Sequence, residues 1–117
     1  MATYNIIVLS NPVAGREAEF NEWYAKPHIP DVLKCPGVVT AQRFRRVDSR
    51  SSPNATHKYV ARYEVETDDL DATMAEIRSR RGGPQMLMSD AFDTASALWL
   101  VVVPITEQIK IDDKATE

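Results

Sequence analysis

The sequence has few of the residues that mark secreted, membrane-spanning or nucleotide-binding proteins. Its one cysteine, Cys35, cannot form an internal disulfide, so we expect a protein of the reducing cytoplasm. No apolar run approaches membrane-spanning length, and no basic stretch precedes an apolar segment at the N-terminus, so neither a membrane partner nor a secretory leader is expected. Cys35 is expected to fill the core, although a nucleophilic role beside His28 stays open.

Positive charge and glycine are also scarce. Asp and Glu number 17 against 14 Lys and Arg, a net charge of −3 that argues against nucleic acid as a partner. The four glycines form no flavin or nicotinamide fingerprint, and Gly82-Gly83 is expected to close a helix. The 117 residues predict one domain, residues 1–105, and a C-terminal tail, 106–117, partly disordered or packed on a partner subunit.

The first half of the chain alternates short β-branched runs with one amphipathic segment. Residues 4–10 predict a strand buried on both faces, and residues 14–26 predict a helix that Pro27 ends or kinks. A short turn is expected over 28–33, followed by a strand over 38–47.

The second half repeats this order. Residues 57–65 predict a strand, and Thr67 is expected to cap a helix with Leu70, Met74 and Ile77 on its buried stripe. Residues 95–103 predict a last strand that is apolar on both faces. Two helices cover only one face of a four-stranded sheet, so we expect a second copy of the chain to cover the other face and form a homodimer. Ile109 and Ile111 alternate and could add an edge strand to the partner subunit.

The element order predicts an α+β, ferredoxin-like βαββαβ fold with a four-stranded antiparallel sheet. The chain resembles the dimeric α+β barrel superfamily, and within it the EthD-like and stress-responsive barrel proteins. The resemblance rests on Phe20, Trp23-Tyr24, His28, Ile29-Pro30-Asp31, Pro36-Gly37-Val38, Arg43-Phe44 and the apolar final strand that ends at Pro104.

The resemblance implies two sheets packed face to face across a two-fold axis, with a pocket between the sheet and the helices of each protomer. It also implies small-molecule chemistry, since such proteins include cofactor-free monooxygenases, isomerases, cyclases, dehydratases and haem-handling proteins. Fold alone does not select among these reactions.

His28 is the first candidate catalytic residue, because imidazole exchanges protons near neutral pH. Tyr24 lies one helical turn before it and Asp31 three residues after it, so a phenol and a carboxylate could share its face of the helix. The resemblance implies His28 as acid or base, Tyr24 as its helper and Asp31 as the group that orients it. The alternatives are a hydrogen-bonded structural histidine and, for Tyr24, helix packing.

Five further residues are candidates for substrate binding. Asn5 is a polar group in an apolar strand, and Arg43 could clamp an acidic substrate or pair across the dimer. Trp23, Tyr63 and Trp99 could line a ring-binding pocket, with ordinary packing as the alternative. His57 is expected at the surface. No spacing indicates a metal site, and no cofactor is expected, although His28 as an axial haem ligand stays open.

These observations favour a cofactor-independent enzyme that moves a proton on a hydrophobic, ring-containing metabolite, as an isomerase, cyclase or dehydratase does. One alternative is a dimeric protein that binds such a molecule without turnover. A second is a cofactor-free monooxygenase. The sequence does not identify the substrate.

Overall fold

A computed structural model describes residues 1–111 as a four-stranded antiparallel sheet with its helices on one face. The strands lie in the order β2-β3-β1-β4, so the predicted ferredoxin-like α+β fold is confirmed. The elements in chain order are β1 (Ala2–Ser10), α1 (Glu17–Trp23), α2 (Ile29–Leu33), β2 (Val38–Arg45), β3 (Tyr59–Thr67), α3 (Leu70–Arg80) and β4 (Leu98–Val102).

The residues of strand β1 point alternately to the two faces of the sheet. Ile6 and Val8 are buried beneath the helices, because alternate residues of a strand point to opposite faces. Asn5, Ile7 and Leu9 face the other way and are partly exposed. The described chain therefore covers only one face of the sheet, which we call the helix face, and leaves the outer face open.

The first helix continues through Pro27 instead of ending there. A π-helical turn, Tyr24–His28, joins α1 to α2 without a break and takes up the proline. A proline lacks the N–H that an α-helical hydrogen bond needs, and a wider turn relieves the resulting misfit. Residues five apart in an α-helix point roughly 140° away from each other. The π turn instead places Trp23 and His28 on one face, where their rings stack 4.2 Å apart.

A local irregularity in β2 determines which of its residues point to the helix face. Gly37 has a φ of +93°, and a register shift between Val38 and Thr40 follows it, so that Ala41 and Arg43 point toward the helix face.

The expected capping of α3 by Thr67 is wrong. Asp69 is the N-cap, and its carboxylate accepts a hydrogen bond from Ala72 N at 3.0 Å.

Strand β4 is exposed along its whole length although all its residues are apolar. Leu98 and Leu100, on the outer face, are 51% and 48% exposed. After β4, residues 103–111 form neither helix nor strand, and Ile109 and Ile111 are exposed. The edge strand expected at these two residues against a partner subunit stays a prediction, and residues 112–117 of the predicted tail lie outside the described range. The division into domain and tail stays a prediction.

Candidate functional site

A narrow cavity of about 40 Å³ lies between the helix face of the sheet and the helices that cover it. It brings together His28 and Tyr24 from the π turn, Tyr63 from β3 and Trp99 from β4. The remaining lining residues are Ile6, Val8, Val32, Met74, Ile77, Arg81, Met86 and Met88.

His28 is buried, and burial sets its electrostatics. Its ring stacks on Trp23 and meets the edge of the Tyr24 ring at 5.1 Å between centroids. Burial, together with the positive charges of Arg81 and Arg43, lowers the pKa of His28 to about 4. The imidazole is therefore neutral at neutral pH. Its Nδ1 atom has no hydrogen-bond partner in the described part of the chain.

Two buried phenols stand beside His28. Burial raises the pKa of both Tyr24 and Tyr63, and for Tyr63 the adjacent Tyr24 adds to the effect, so both hydroxyls stay protonated. The Tyr63 and Ser10 hydroxyls lie near the Tyr24 hydroxyl and influence its pKa, but neither makes a hydrogen bond of good geometry among residues 1–111. A buried polar atom without a well-formed hydrogen bond is costly, so the Tyr63 hydroxyl, which belongs to a cavity-lining residue, is available to a bound molecule.

Arg43 lies behind Tyr24 in a cage of aromatic rings. Its guanidinium carbon is 4.2 Å from the centroid of the Tyr24 ring and 5.3 Å from that of Tyr59. One terminal nitrogen donates to Asn21 Oδ1 at 2.9 Å, while Nε has no partner among the described atoms. Arg43 thus supports the wall of the cavity and contributes a positive potential, although it does not line the cavity.

Arg81 is a cavity residue that sequence reasoning missed. It follows α3 directly, and its guanidinium carbon lies 4.9 Å from the centroid of the Trp99 ring. The sequence shows it only as the last of three arginines near a helix C-terminus, where positive charge is common for reasons of the helix dipole. Its neighbour Met86, also missed, is almost fully buried.

The structure corrects two of the predicted site residues. Asp31 does not orient His28, because its carboxylate lies toward the Lys34 ammonium at 3.9 Å and the Nδ1 atom of His28 has no partner in the described chain. Asn5 lies on the outer face, where its Oδ1 is 3.5 Å from a terminal nitrogen of Arg62. It therefore points away from the cavity, because the strand alternation that buries Ile6 turns Asn5 outward.

Packing and hydrogen bonds within the fold account for the remaining candidates, Trp23, Cys35 and His57. Trp23 backs the His28 ring, and its Nε1 donates to the Leu87 carbonyl at 3.0 Å. Cys35 is buried and burial raises the pKa of its thiol, which disfavours the nucleophilic thiolate. His57 is half-buried, not fully at the surface, and one ring nitrogen lies 2.7 Å from the Ser96 carbonyl oxygen.

The described residues contain neither a metal-binding cluster nor a helix that could span a membrane. Residues 1–111 contain no group of three or more His, Cys, Asp and Glu side chains arranged to hold a metal ion. Within the same part of the chain, no helix has the length and apolar character needed to cross a membrane.

The geometry offers a neutral base and protonated hydroxyls inside an apolar, positively biased cavity. Such a set can accept a proton from carbon and stabilise the oxygen that gains negative charge. A cavity of roughly 150 Å³ is needed to hold benzene, so a ring would have to displace lining side chains. Three of these are the unbranched methionines Met74, Met86 and Met88, which repack more easily than branched residues do.

Comparisons with known proteins show the fold. No protein-family model matches the chain, and no curated protein matches it in sequence. A Dabb family protein of ferredoxin-like fold from Mesorhizobium loti has a TM-score of 0.63 at 13% identity, over 91% of this chain and 100% of its own. The haem degrader MhuD from Mycobacterium tuberculosis, solved with two haems in its active site, has a TM-score of 0.60 at 18% identity, over 90% and 98%.

An EthD family protein from Bacillus halodurans has a TM-score of 0.50 at 15% identity, over 90% of this chain and 100% of its own. The expected likeness to dimeric α+β barrel proteins is thus confirmed at the level of fold. At these identities the reaction remains to be argued from the site itself.

Proposed function

We propose that the protein is an enzyme that moves a proton on a hydrophobic, ring-containing small molecule, with His28 as the base. The observation that carries the proposal is the buried, neutral imidazole of His28, whose Nδ1 has no partner in the described chain and which shares a cavity with two protonated phenols. A neutral imidazole is the form that accepts a proton. Because a pKa of about 4 makes His28 a weaker base than an ordinary histidine, the transfer depends on strong stabilisation of the oxygen that gains negative charge.

The step that this site supports begins at a carbon next to a ring carbonyl. His28 takes the proton, and the bonding electron pair moves onto the carbonyl oxygen as an enolate. The Tyr63 hydroxyl, which is buried without a partner in residues 1–111, donates a hydrogen bond to that oxygen. Return of the proton to another carbon gives an isomer, and loss of a neighbouring hydroxide, protonated to water, gives a dehydrated product.

A haem does not fit the cavity as it stands. The porphyrin ring is far larger than benzene, whereas the cavity measures about 40 Å³ and His28 is covered by the Trp23 ring. Haem therefore has no part in the proposed step. The proposed proton transfer uses only side chains of this chain.

We also propose that the protein works as a cytoplasmic homodimer. The outer face of β4 exposes Leu98, Leu100 and Val102, each 44–51% exposed, beside Ile7 and Leu9 of β1. A contiguous apolar surface of this kind is unusual on a monomer and is covered in most proteins by a partner. Face-to-face packing of two outer faces would cover this patch and leave the two cavities on the far sides.

Deuterium exchange tests the catalytic proposal. Ring ketones such as cyclohexenone and tetralone are incubated with protein in D2O, and loss of the signal from the proton next to the carbonyl is followed by NMR. We expect exchange above the buffer rate, and about a 100-fold loss in His28→Gln, because an acid/base group usually contributes that much or more. His57→Gln is the matched control, since His57 is the other histidine and lies outside the cavity.

Two outcomes contradict the proposal. Exchange in His28→Gln within a few-fold of wild type removes His28 from the chemistry. Saturable binding of a ketone with no exchange above the buffer rate instead supports the alternative, a protein that binds the ring compound without turnover.

A further inference from the structure

Arg81 lines the cavity without an acidic partner. No ion pair of the described residues includes its guanidinium, and no Asp or Glu lines the cavity. Two other arginines at helix ends have an acidic partner on their own helix, Arg16 with Glu19 and Arg80 with Glu76. Arg81 is instead held against an aromatic ring, which leaves its N–H donors free for a ligand.

The backbone fixes the place of Arg81. Arg81 leaves the helix in an extended conformation, and Gly82 follows with a φ of +82°, which favours glycine. The Gly82 N–H then donates to the Met86 carbonyl at 2.8 Å, and Arg81 and Met86 form a β-bridge. The turn therefore holds Arg81 beside Met86 and Trp99, at the solvent-exposed edge of the cavity.

The buried polar atoms near Tyr24 add a second observation. Two of them belong to residues that line the cavity, His28 Nδ1 and Tyr63 Oη, and neither has a hydrogen-bond partner in residues 1–111. The Tyr63 hydroxyl can donate to an oxygen of a bound molecule. The Tyr63 donor and the unpaired guanidinium of Arg81 both favour an oxygen that carries negative charge.

We infer that the molecule bound in this cavity is an anionic ring compound, a carboxylate or an enolate, whose negative charge pairs with the guanidinium of Arg81. The inference rests on the proposed function for the location of the site, and it adds the charge of the substrate. Arg81 is then a residue that determines specificity, because it distinguishes an anion from a neutral molecule of the same shape. The apolar ring occupies the part of the cavity that the methionines line.

Benzoate and benzamide test this inference, because they share a ring and a planar head group and differ in charge. Their dissociation constants are measured by NMR titration with wild type, Arg81→Gln, Arg81→Lys and Arg78→Gln. Arg78 is the matched control, since it is an exposed arginine of the same helix whose side chain does not line the cavity. The protein spectra of the variants report whether each one is folded.

We expect wild type to bind benzoate about 10-fold or more tightly than benzamide, the range of a hydrogen bond to a charged group. Arg81→Gln should remove this preference, Arg81→Lys should keep part of it, and Arg78→Gln should keep all of it. Equal affinity of wild type for the two probes, no measurable binding of benzoate, or a preference that persists in folded Arg81→Gln would each overturn the inference.

The two proposals fail separately. If His28→Gln abolishes deuterium exchange while wild type binds benzoate no more tightly than benzamide, the base assignment stands and the anion inference fails. If tight binding of benzoate requires Arg81 while His28→Gln catalyses exchange at the wild-type rate, the anion site stands and the proton-transfer proposal fails.

Discussion

Acid should destabilise this protein through His28, and the size of the effect follows from its burial. The pKa of His28 is about 4 in the folded chain, against an ordinary value of 6.5. One pKa unit is worth about 1.4 kcal/mol, so the gap corresponds to about 3 kcal/mol of folding free energy. Since the side chain is almost fully buried, little of this is lost to solvent screening.

The sign follows from which state binds the proton first. As pH falls through 6.5, the unfolded chain protonates His28 while the folded chain does not until about pH 4. The unfolded state therefore binds more protons in this window, and the free energy of unfolding rises with pH there. The contribution is fully present above pH 6.5 and is lost as the pH falls to about 4.

Two measurements check this prediction. The chain has two histidines, so the ring signals in a carbon–proton NMR spectrum are assigned with His57→Gln and followed against pH. Urea unfolding of wild type and His28→Gln is then compared across the same range, and wild type should lose about 3 kcal/mol more between pH 6.5 and 4. A His28 signal that titrates near 6.5 would refute the reasoning, and so would identical pH dependence in the two proteins.

Three further substitutions test the packing around the site. Tyr63→Phe should leave stability unchanged or raise it by about 1 kcal/mol in urea unfolding, since it removes a buried hydroxyl without a partner in the described chain; a large loss would show a bond that the structure lacks. Arg43→Met should cost about 1–2 kcal/mol through lost cation–π contacts, and the exposed neighbour Arg45→Met should cost less; equal costs would contradict the aromatic cage. Leu100→Glu should convert the dimer to a monomer in light scattering, whereas Leu87→Glu, exposed but outside the sheet, should not; a monomeric wild type would exclude the homodimer.

The fold followed from the sequence because its elements carry strong periodic signals. The apolar runs of β1 and β4 and the alternation of β3 are long enough to identify strands, and the order of elements leaves few topologies. The errors fall at the ends of elements. Thr67 and Asp69 are both good N-cap residues, and only the direction of the chain leaving β3 decides that Asp69 caps α3.

The site was predicted only in part, because its geometry depends on backbone irregularity. His28, Tyr24, Tyr63 and Trp99 do line one cavity. The pairing of His28 with Asp31 followed from the rule that helical residues three apart share a face. The backbone from His28 to Asp31 is helical in the structure as well, but the His28 ring stacks on Trp23 across the π turn, and the Asp31 carboxylate lies toward Lys34.

Arg81 shows why a sequence pattern does not reveal which arginine lines a cavity. A run of arginines near a helix C-terminus has a sufficient explanation in the helix dipole and in ion pairs within the helix, and Arg80 follows that explanation. Arg81 departs from it because the helix ends one residue earlier and the Gly82 turn directs the chain back along the cavity. Whether an arginine pairs within its helix or lines the cavity therefore depends on where the helix stops, and helix ends are the feature that sequence patterns predict least well.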